Sequence, residues 1–403
     1  MNASEYGIFR KMASENHYVS LSKALNSAAA TKYTLESLKR ITRPEMRYGH
    51  MGQLVMKDGV CYATFIQNPG TDGEKHYSTT SEVVLAIFTL ERWKETDFSP
   101  EKDVEILRIG GLGDECAGEK AVSIFKDNSM CLVGDDIYIC FSFITDDGKS
   151  HIFRKTFHIP THSWGEEAAV RLSYKGELYD FTDETLNRIY LDKGLEPRAG
   201  GLIELVSAWS EYKGEYYATG VAIERPNNGF IVKTADFKTM TLVDTLAFND
   251  MGTAEIGSII YHGRLYVACR QDYSIPYLYL NYYDLEKGTW GEAYRVEDGN
   301  VRPWFFILKD ELYLVNTVEE LYRRYSNISH VRVTNRNIAF FDDKMPIETL
   351  ATIKDCGSYF AFYNEGDEIY YIATKNTISF GKLYTDFRTP EEVNEKLLAL
   401  FGE

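Results

Sequence analysis

Six times along this chain a turn of Gly or Asp is followed by a short strand of alternating residues rich in Tyr. The copies are KDGVCYATF from Lys57, GDDIYICFSF from Gly134, KGEYYATGV from Lys213, HGRLYVACR from His262, KDELYLVNT from Lys309 and EGDEIYYIAT from Glu365. Turn chemistry ahead of an alternating run predicts a tight hairpin. In most copies another apolar strand precedes the turn, as in QLVM, EIGSIIY and PWFFIL, and further strands can be read after it. The turns fall near residues 59, 135, 214, 263, 310 and 367, a spacing of about fifty residues that widens in the first half. Four-stranded units at this period predict an all-β, six-bladed β-propeller, since radial closure protects the strand edges that a long all-β chain would otherwise expose.

A second repeated element keeps the same register. THSWGEE (Thr161 to Glu167) and KGTWGEA (Lys287 to Ala293) mark the outer ends of two blades, with ERWKE at Glu91 a looser relative. Their Trp residues read as hydrophobic plugs of the outer hairpins. Between repeats, KYTLESLKRI has helix-like spacing and YDFTDETLNRIYLDKG places a Thr/Asp cap before a helical stretch. TPEEVNEKLLALFGE opens with a capping pattern and predicts a C-terminal helix. The expected division is residues 1–45 as an N-terminal helical or irregular segment packed on the propeller, 46–385 as the propeller, and 386–403 as the C-terminal helix.

Composition agrees with the pattern: aromatics are 14% of residues, with 29 Tyr and 22 Phe against only 10 Pro, a mixture suited to half-buried pleated surfaces. A formal charge of −16, with no Lys/Arg-rich stripe, argues against a nucleic-acid partner. Cys61, Cys116, Cys131, Cys140, Cys269 and Cys356 include no CxxC pair and lie mostly in apolar runs, so they read as buried reduced thiols. The N-terminus lacks the basic start and apolar run of a secretory signal, and no segment approaches 18 uninterrupted apolar residues. The expectation is a cytoplasmic protein without a membrane partner. Scattered histidines, with no HxH, HExxH, GxGxxG or P-loop, imply neither a metal nor a nucleotide, so no cofactor is expected.

Propellers carry function where loops and strand ends meet the axis, so ionisable residues at those strand ends are the candidates. Glu255 begins one strand of AEIGSIIYHGRLYVACRQD and Arg270 ends its partner, which places both at one end of a hairpin. Arg302 precedes the strand in NVRPWFFIL, and Arg323 and Arg324 follow the next one. Arg302 could equally stack on Trp304 or Trp209, and Arg323 and Arg324 could be an exposed pair. Tyr359 opens a blade in CGSYFAFYNEGDEIYYIAT, and as one of 29 tyrosines it could be a packing residue. The first blade, EMRYGHMGQLVMKDG, offers Arg47 and His50, followed by Asp72 and Glu74 in the loop NPGTDGEKH.

Taken together these residues resemble the sialidase superfamily of six-bladed propellers. That resemblance implies three arginines clamping a substrate carboxylate, a Tyr nucleophile activated by a Glu, and an Asp acid/base. Guanidinium forks suit such a clamp, and a phenol with an ordinary pKa of about 10 needs an adjacent carboxylate to act near neutrality. Residue by residue, Glu255 and Arg270 look like the Glu and the second arginine, Tyr359 like the nucleophile, Arg324 or Arg323 like the third arginine, and Asp72 like the acid/base. The departures are in the first blade, where RYGHMGQL has no proline and His50 competes with Arg47 for the arginine position, and in the Asp-box repeats, which survive only as YDLEKGTW.

The function this implies is a glycoside hydrolase of sialidase-like type acting on an acidic carbohydrate at the axis. GHMGQLVMKDG equally resembles the His placement of propeller polysaccharide lyases and uronyl hydrolases, in which Arg neutralises a uronate carboxylate while His50 or Tyr removes the adjacent proton. A non-catalytic propeller that binds glycans or proteins is the third reading.

Overall fold

The computed structural model describes residues 36–70, 80–195, 201–223, 228–246, 253–271, 277–297, 301–308, 310–318, 325–331, 347–354, 358–375 and 377–383. Six sheets of four or more strands are arranged as blades. Blade 1 consists of Tyr48–Lys57, Val60–Asn68, Glu82–Thr89 and Glu105–Gly111; blade 2 of Ser123–Val133, Asp136–Ile144, Ser150–His158 and Ser163–Ala169. Blade 3 uses Leu202–Leu205, Glu215–Ile223, Asn228–Thr234 and Thr239–Thr245, and blade 4 uses Thr253–Tyr261, Arg264–Gln271, Tyr277–Asp284 and the short outer strands Thr289–Trp290 and Tyr294–Glu297. Blade 5 runs through Trp304–Leu308, Glu311–Val318, Tyr325–Val331 and Ile347–Lys354. Blade 6 is Ser358–Glu365, Glu368–Lys375 and Thr377–Leu383, completed by Glu36–Arg40 from the other end of the chain.

Each inner strand packs on the inner part of the next blade, and the contacts return from blade 6 to blade 1, so the six sheets close a ring. The turn after every inner strand is where the sequence pattern puts it. Asp58 and Gly59 have φ of 50° and 75°, Lys213 and Gly214 53° and 82°, His262 and Gly263 48° and 71°, the paired positive φ of a two-residue hairpin turn. Gly134, Asp310 and Gly366 hold the corresponding left-handed positions in the other three blades.

One expectation is corrected at the seam. Glu36–Arg40, within KYTLESLKRI, is a strand antiparallel to Thr377–Leu383, with Lys39 opposite Phe380 and Arg40 opposite Ser379. Helical spacing is overruled there because the last blade lacks an outer strand, and pairing satisfies an edge that an isolated helix would leave open. The expected C-terminal helix lies outside the described residues. The inserted helix is present at Asp183–Asp192: Thr182 Oγ1 accepts from the Thr185 N–H at 3.1 Å, and Leu186, Ile189 and Tyr190 bury one face against Phe181 and Phe230. With the hairpin Arg171–Tyr174 and Glu177–Asp180, which adds to Thr239–Thr245 in parallel, it thickens the outer edge of blade 3.

The Trp residues plug outer elements as expected. Trp164 meets Phe157 and Trp290 meets Tyr283 edge-on, while Trp93, on a helical turn over Leu90–Lys94 and not on a strand, packs against Phe380. The YDLEKGTW turn is built on Asp284, whose Oδ1 accepts from the Glu286 and Lys287 N–H groups. Blade 3 builds a similar turn between its last two strands on Asp236, Oδ1 of which accepts from the Lys238 and Thr239 N–H groups, although ADFKTM hides the likeness. The five described cysteines are buried, and burial pushes the Cys140 thiol up to about 12. No helix among the described residues is long and apolar enough to cross a membrane.

Blades 4 and 5 approach closely at Gly257, where an added Cβ would lie 2.8 Å from the Pro303 carbonyl carbon and 3.3 Å from Trp304 Cα. Backbone cannot give way as a side chain can, so Gly257→Ala is expected to cost about 1–3 kcal/mol. Thermal unfolding should show a lowered Tm; an unchanged Tm would mean the two inner strands can part at no cost.

Candidate functional site

One polar or ionisable side chain from the start of each blade's inner strand is buried at the same end of the ring. In chain order they are His50, Lys126, Glu204, Glu255, Arg302 and Tyr359, all at 9% exposure or less. Each lies seven to ten residues ahead of its hairpin turn, as His50 does from Gly59 and Glu255 from Gly263. A common strand direction and a common turn therefore place them together. Arg270, ending the second strand of blade 4, adds a seventh member with no exposed surface.

Local backbone irregularity aims these side chains. The ladder between the first two strands slips between His50 and Gln53 in blade 1, between Ser123 and Phe125 in blade 2, between Thr253 and Glu255 in blade 4, and between Ser358 and Ala361 in blade 6. Each slip is a β-bulge at the axial end of its strand, which bends the strand and redirects the next side chain. Met51, Ile124 and Tyr359 sit in these bulges with φ of 49°, 44° and 52°. Left-handed backbone is unfavourable for non-glycine residues and worst for a β-branched one such as Ile124, so three neighbouring instances mark stored strain.

The centre of the cluster is Arg270. Its Nη1 donates to Glu255 Oε2 at 2.7 Å and lies 3.5 Å from the Tyr359 hydroxyl oxygen, so one guanidinium nitrogen joins blade 4 to blade 6. The expected pairing across the hairpin is thus present, with Glu255 directly opposite Arg270 in the ladder. The His50 ring meets Tyr359 edge-on at 4.2 Å between centroids. Arg302 reaches across three blades: Nη2 donates to the Gly52 carbonyl at 3.0 Å and to the Phe360 carbonyl at 3.5 Å, and its guanidinium lies over Trp304 at 5.1 Å. The stacking of Arg302 on Trp304 is present, and two of its donor contacts go to backbone.

Lys126 and Glu204 form the remaining ion pair, between blades 2 and 3. Neither stands out in the sequence, because the partner of each lies on another blade; the common offset from the turn is the signal that finds them. The two buried carboxyls are driven apart. Burial alone would raise the Glu255 carboxyl, but Arg270, helped by Arg302 and Lys126, outweighs it and holds Glu255 below the ordinary value of 4.5. Burial raises the Glu204 carboxyl more than Lys126 lowers it, with smaller opposed contributions from Glu255 and Arg302. The surroundings therefore push the two carboxyls in opposite directions, a division suited to acid/base work.

Of the other residues singled out from sequence, Arg47 is exposed and stays out of this cluster, so in the first blade it is His50 that joins it. Asp72, Glu74, Arg323 and Arg324 lie outside the described residues. Among the described residues no group of three or more His, Cys, Asp or Glu is arranged to hold a metal.

No family model matches the sequence, and no curated protein matches it either. Solved structures do match. A Dyadobacter fermentans protein of unknown function is 12% identical, covers 89% of this chain and 100% of its own, and has a TM-score of 0.56. Trypanosoma rangeli sialidase is 12% identical with a TM-score of 0.53 over 92% of this chain; the alignment spans 61% of the sialidase's own length. The Hadza microbial sialidase Hz136 is 9% identical with a TM-score of 0.56, over 83% of this chain and 65% of its own. At such identities the likeness is one of fold: the chain is a β-propeller similar in fold to these sialidases.

Proposed function

We propose that this propeller is a glycoside hydrolase of sialidase-like type that acts on an acidic sugar at the axial end of its inner strands. The observation that carries the reading is the guanidinium of Arg270 held between Glu255 and the Tyr359 hydroxyl, in a buried setting where a phenol and an ionised carboxylate share one cation. In this reading the phenolic oxygen of Tyr359 bonds to the anomeric carbon as the glycosidic bond breaks, and its proton passes to Glu255. Asp72 protonates the departing oxygen, and a water molecule then releases the sugar from Tyr359. Arg270 engages the substrate carboxylate together with Arg323 or Arg324. Arg302 is a positioning residue that holds the backbone of blades 1 and 6 under the site.

The edge-on contact of His50 with Tyr359 favours a second reading, elimination from a uronate-containing oligosaccharide. There His50 or Tyr359 takes the proton beside the carboxylate while Arg270 stabilises the charge that develops. A propeller that only binds glycans or proteins is the outcome if neither reaction occurs.

Incubation with sialosides and with uronate oligosaccharides, following released sugar and absorbance near ~235 nm, separates these readings, because only elimination leaves a conjugated product. Free acidic sugar is the expected result, and Tyr359→Phe should lower kcat by about a thousandfold while leaving KM within about threefold. A Tyr359→Phe variant that keeps its turnover overturns the nucleophile assignment. Arg270→Lys keeps the charge but loses the fork, so KM should rise by at least about tenfold.

A pH dependence follows from Glu255. Its folded pKa lies below the unfolded value of 4.5, so it contributes stability that is fully present above 4.5 and lost as pH falls through the depressed value. Glu255→Gln leaves Arg270 buried without its counter-charge and should cost about 3–5 kcal/mol near neutrality. The fall in Tm below pH 4.5 should become shallower in that variant; an equally steep fall would place the acid sensitivity elsewhere.

A further inference from the structure

Away from the axis, on the outer flank where blade 3 faces blade 4, a cleft of about 520 Å³ is lined by residues that include Lys193, Leu195, Asp244, Asn281 and Trp290. This volume falls within the range of small-molecule sites, about 300–1,000 Å³. Its walls are held by an interblade contact, since Trp290 Nε1 donates to Asp244 Oδ2 at 3.0 Å and Lys193 pairs with the same carboxylate. The indole is further fixed edge-on against Tyr283.

Asn281 is the feature that points to a ligand. It is 2% exposed, and its Oδ1 accepts from the Tyr282 N–H at 2.7 Å, which sets the orientation of the amide. Asn281 lines the cleft, and its Nδ2 group is buried with no hydrogen-bond partner among the described residues. A buried donor without an acceptor costs about 1–3 kcal/mol, and such a group calls for an explanation. We propose that this cleft is a second binding site, for a neutral saccharide unit, separate from the axial cluster. A sugar hydroxyl or ring oxygen accepts from Asn281 Nδ2, another hydroxyl donates to Asp244, and the apolar C–H face of the pyranose lies on Trp290. Lys193 already balances Asp244, so the lining carries no uncompensated charge to select an ionised ligand.

Titration of the full chain with lactose, cellobiose and maltose, followed by calorimetry and Trp fluorescence, tests the proposal. Saturable binding of at least one disaccharide is expected, weakened by tenfold or more in Asn281→Leu and in Trp290→Phe. Asn281→Leu is close to isosteric; it removes the unpartnered donor but also the acceptor of the Tyr282 N–H, so the two effects oppose and its Tm should stay near that of the parent. Arg270→Lys, altered only at the axis, should bind the same disaccharide unchanged. The proposal is overturned if none of the three sugars saturates, if Asn281→Leu binds as tightly as the parent, or if Arg270→Lys abolishes binding.

Discussion

A guanidinium with no exposed surface must be neutralised where it lies, and the axial end of this propeller is organised around that requirement. Arg270 is compensated by Glu255 from the neighbouring strand, and the same nitrogen approaches Tyr359 from two blades away. Removing water from both charges costs several kcal/mol per ion before their attraction offsets it, so such a pair is weak evidence of added stability and stronger evidence of a specified geometry. Lys126 with Glu204 repeats the arrangement between blades 2 and 3, and the charges of the two pairs act on one another. Arg270 with Glu255, together with the Lys126–Glu204 pair, gives the centre of the ring a fixed field that apolar plugs would not provide.

The ring has to be stiff for that field to stay in register. Glu36–Arg40 completes the last blade from the opposite end of the chain, pairing Thr377–Leu383 and so tying the two ends of the ring together. At the hairpin end, side chains tie neighbouring blades together: the Tyr363 hydroxyl donates to the Met56 carbonyl, the Tyr261 hydroxyl to the Asp310 carbonyl, and Lys57 pairs with Asp135. At the axial end Arg302 does the same through the carbonyls of Gly52 and Phe360. Strain stored at Met51, Ile124 and Tyr359 persists because the blades are held from both ends.

The same residues explain what could be read in advance. The pairing of Glu255 with Arg270 was legible because it is local: a strand, a two-residue turn and a strand put the two side chains opposite each other by counting. Tyr359 was legible only as a strand opener, since its contacts with His50 and Arg270 cross blade boundaries. Lys126 and Glu204 do not stand out because each finds its partner on another blade. Glu36–Arg40 misled because its spacing suits a helix, and only the unfilled edge of a blade more than three hundred residues away makes it a strand.

By itself, then, the sequence determined the repeat, the six hairpin turns, the inserted helix and the pairing within blade 4, all of which depend on residues close together in the chain. Only the tertiary structure decided the closing strand, the bulges that turn side chains toward the axis, the choice of His50 over Arg47 in the cluster, and the opposed proton affinities of Glu204 and Glu255. The reason is physical: turn chemistry and alternation act over a few residues, whereas edge pairing, desolvation and charge compensation depend on which distant strands share the axis.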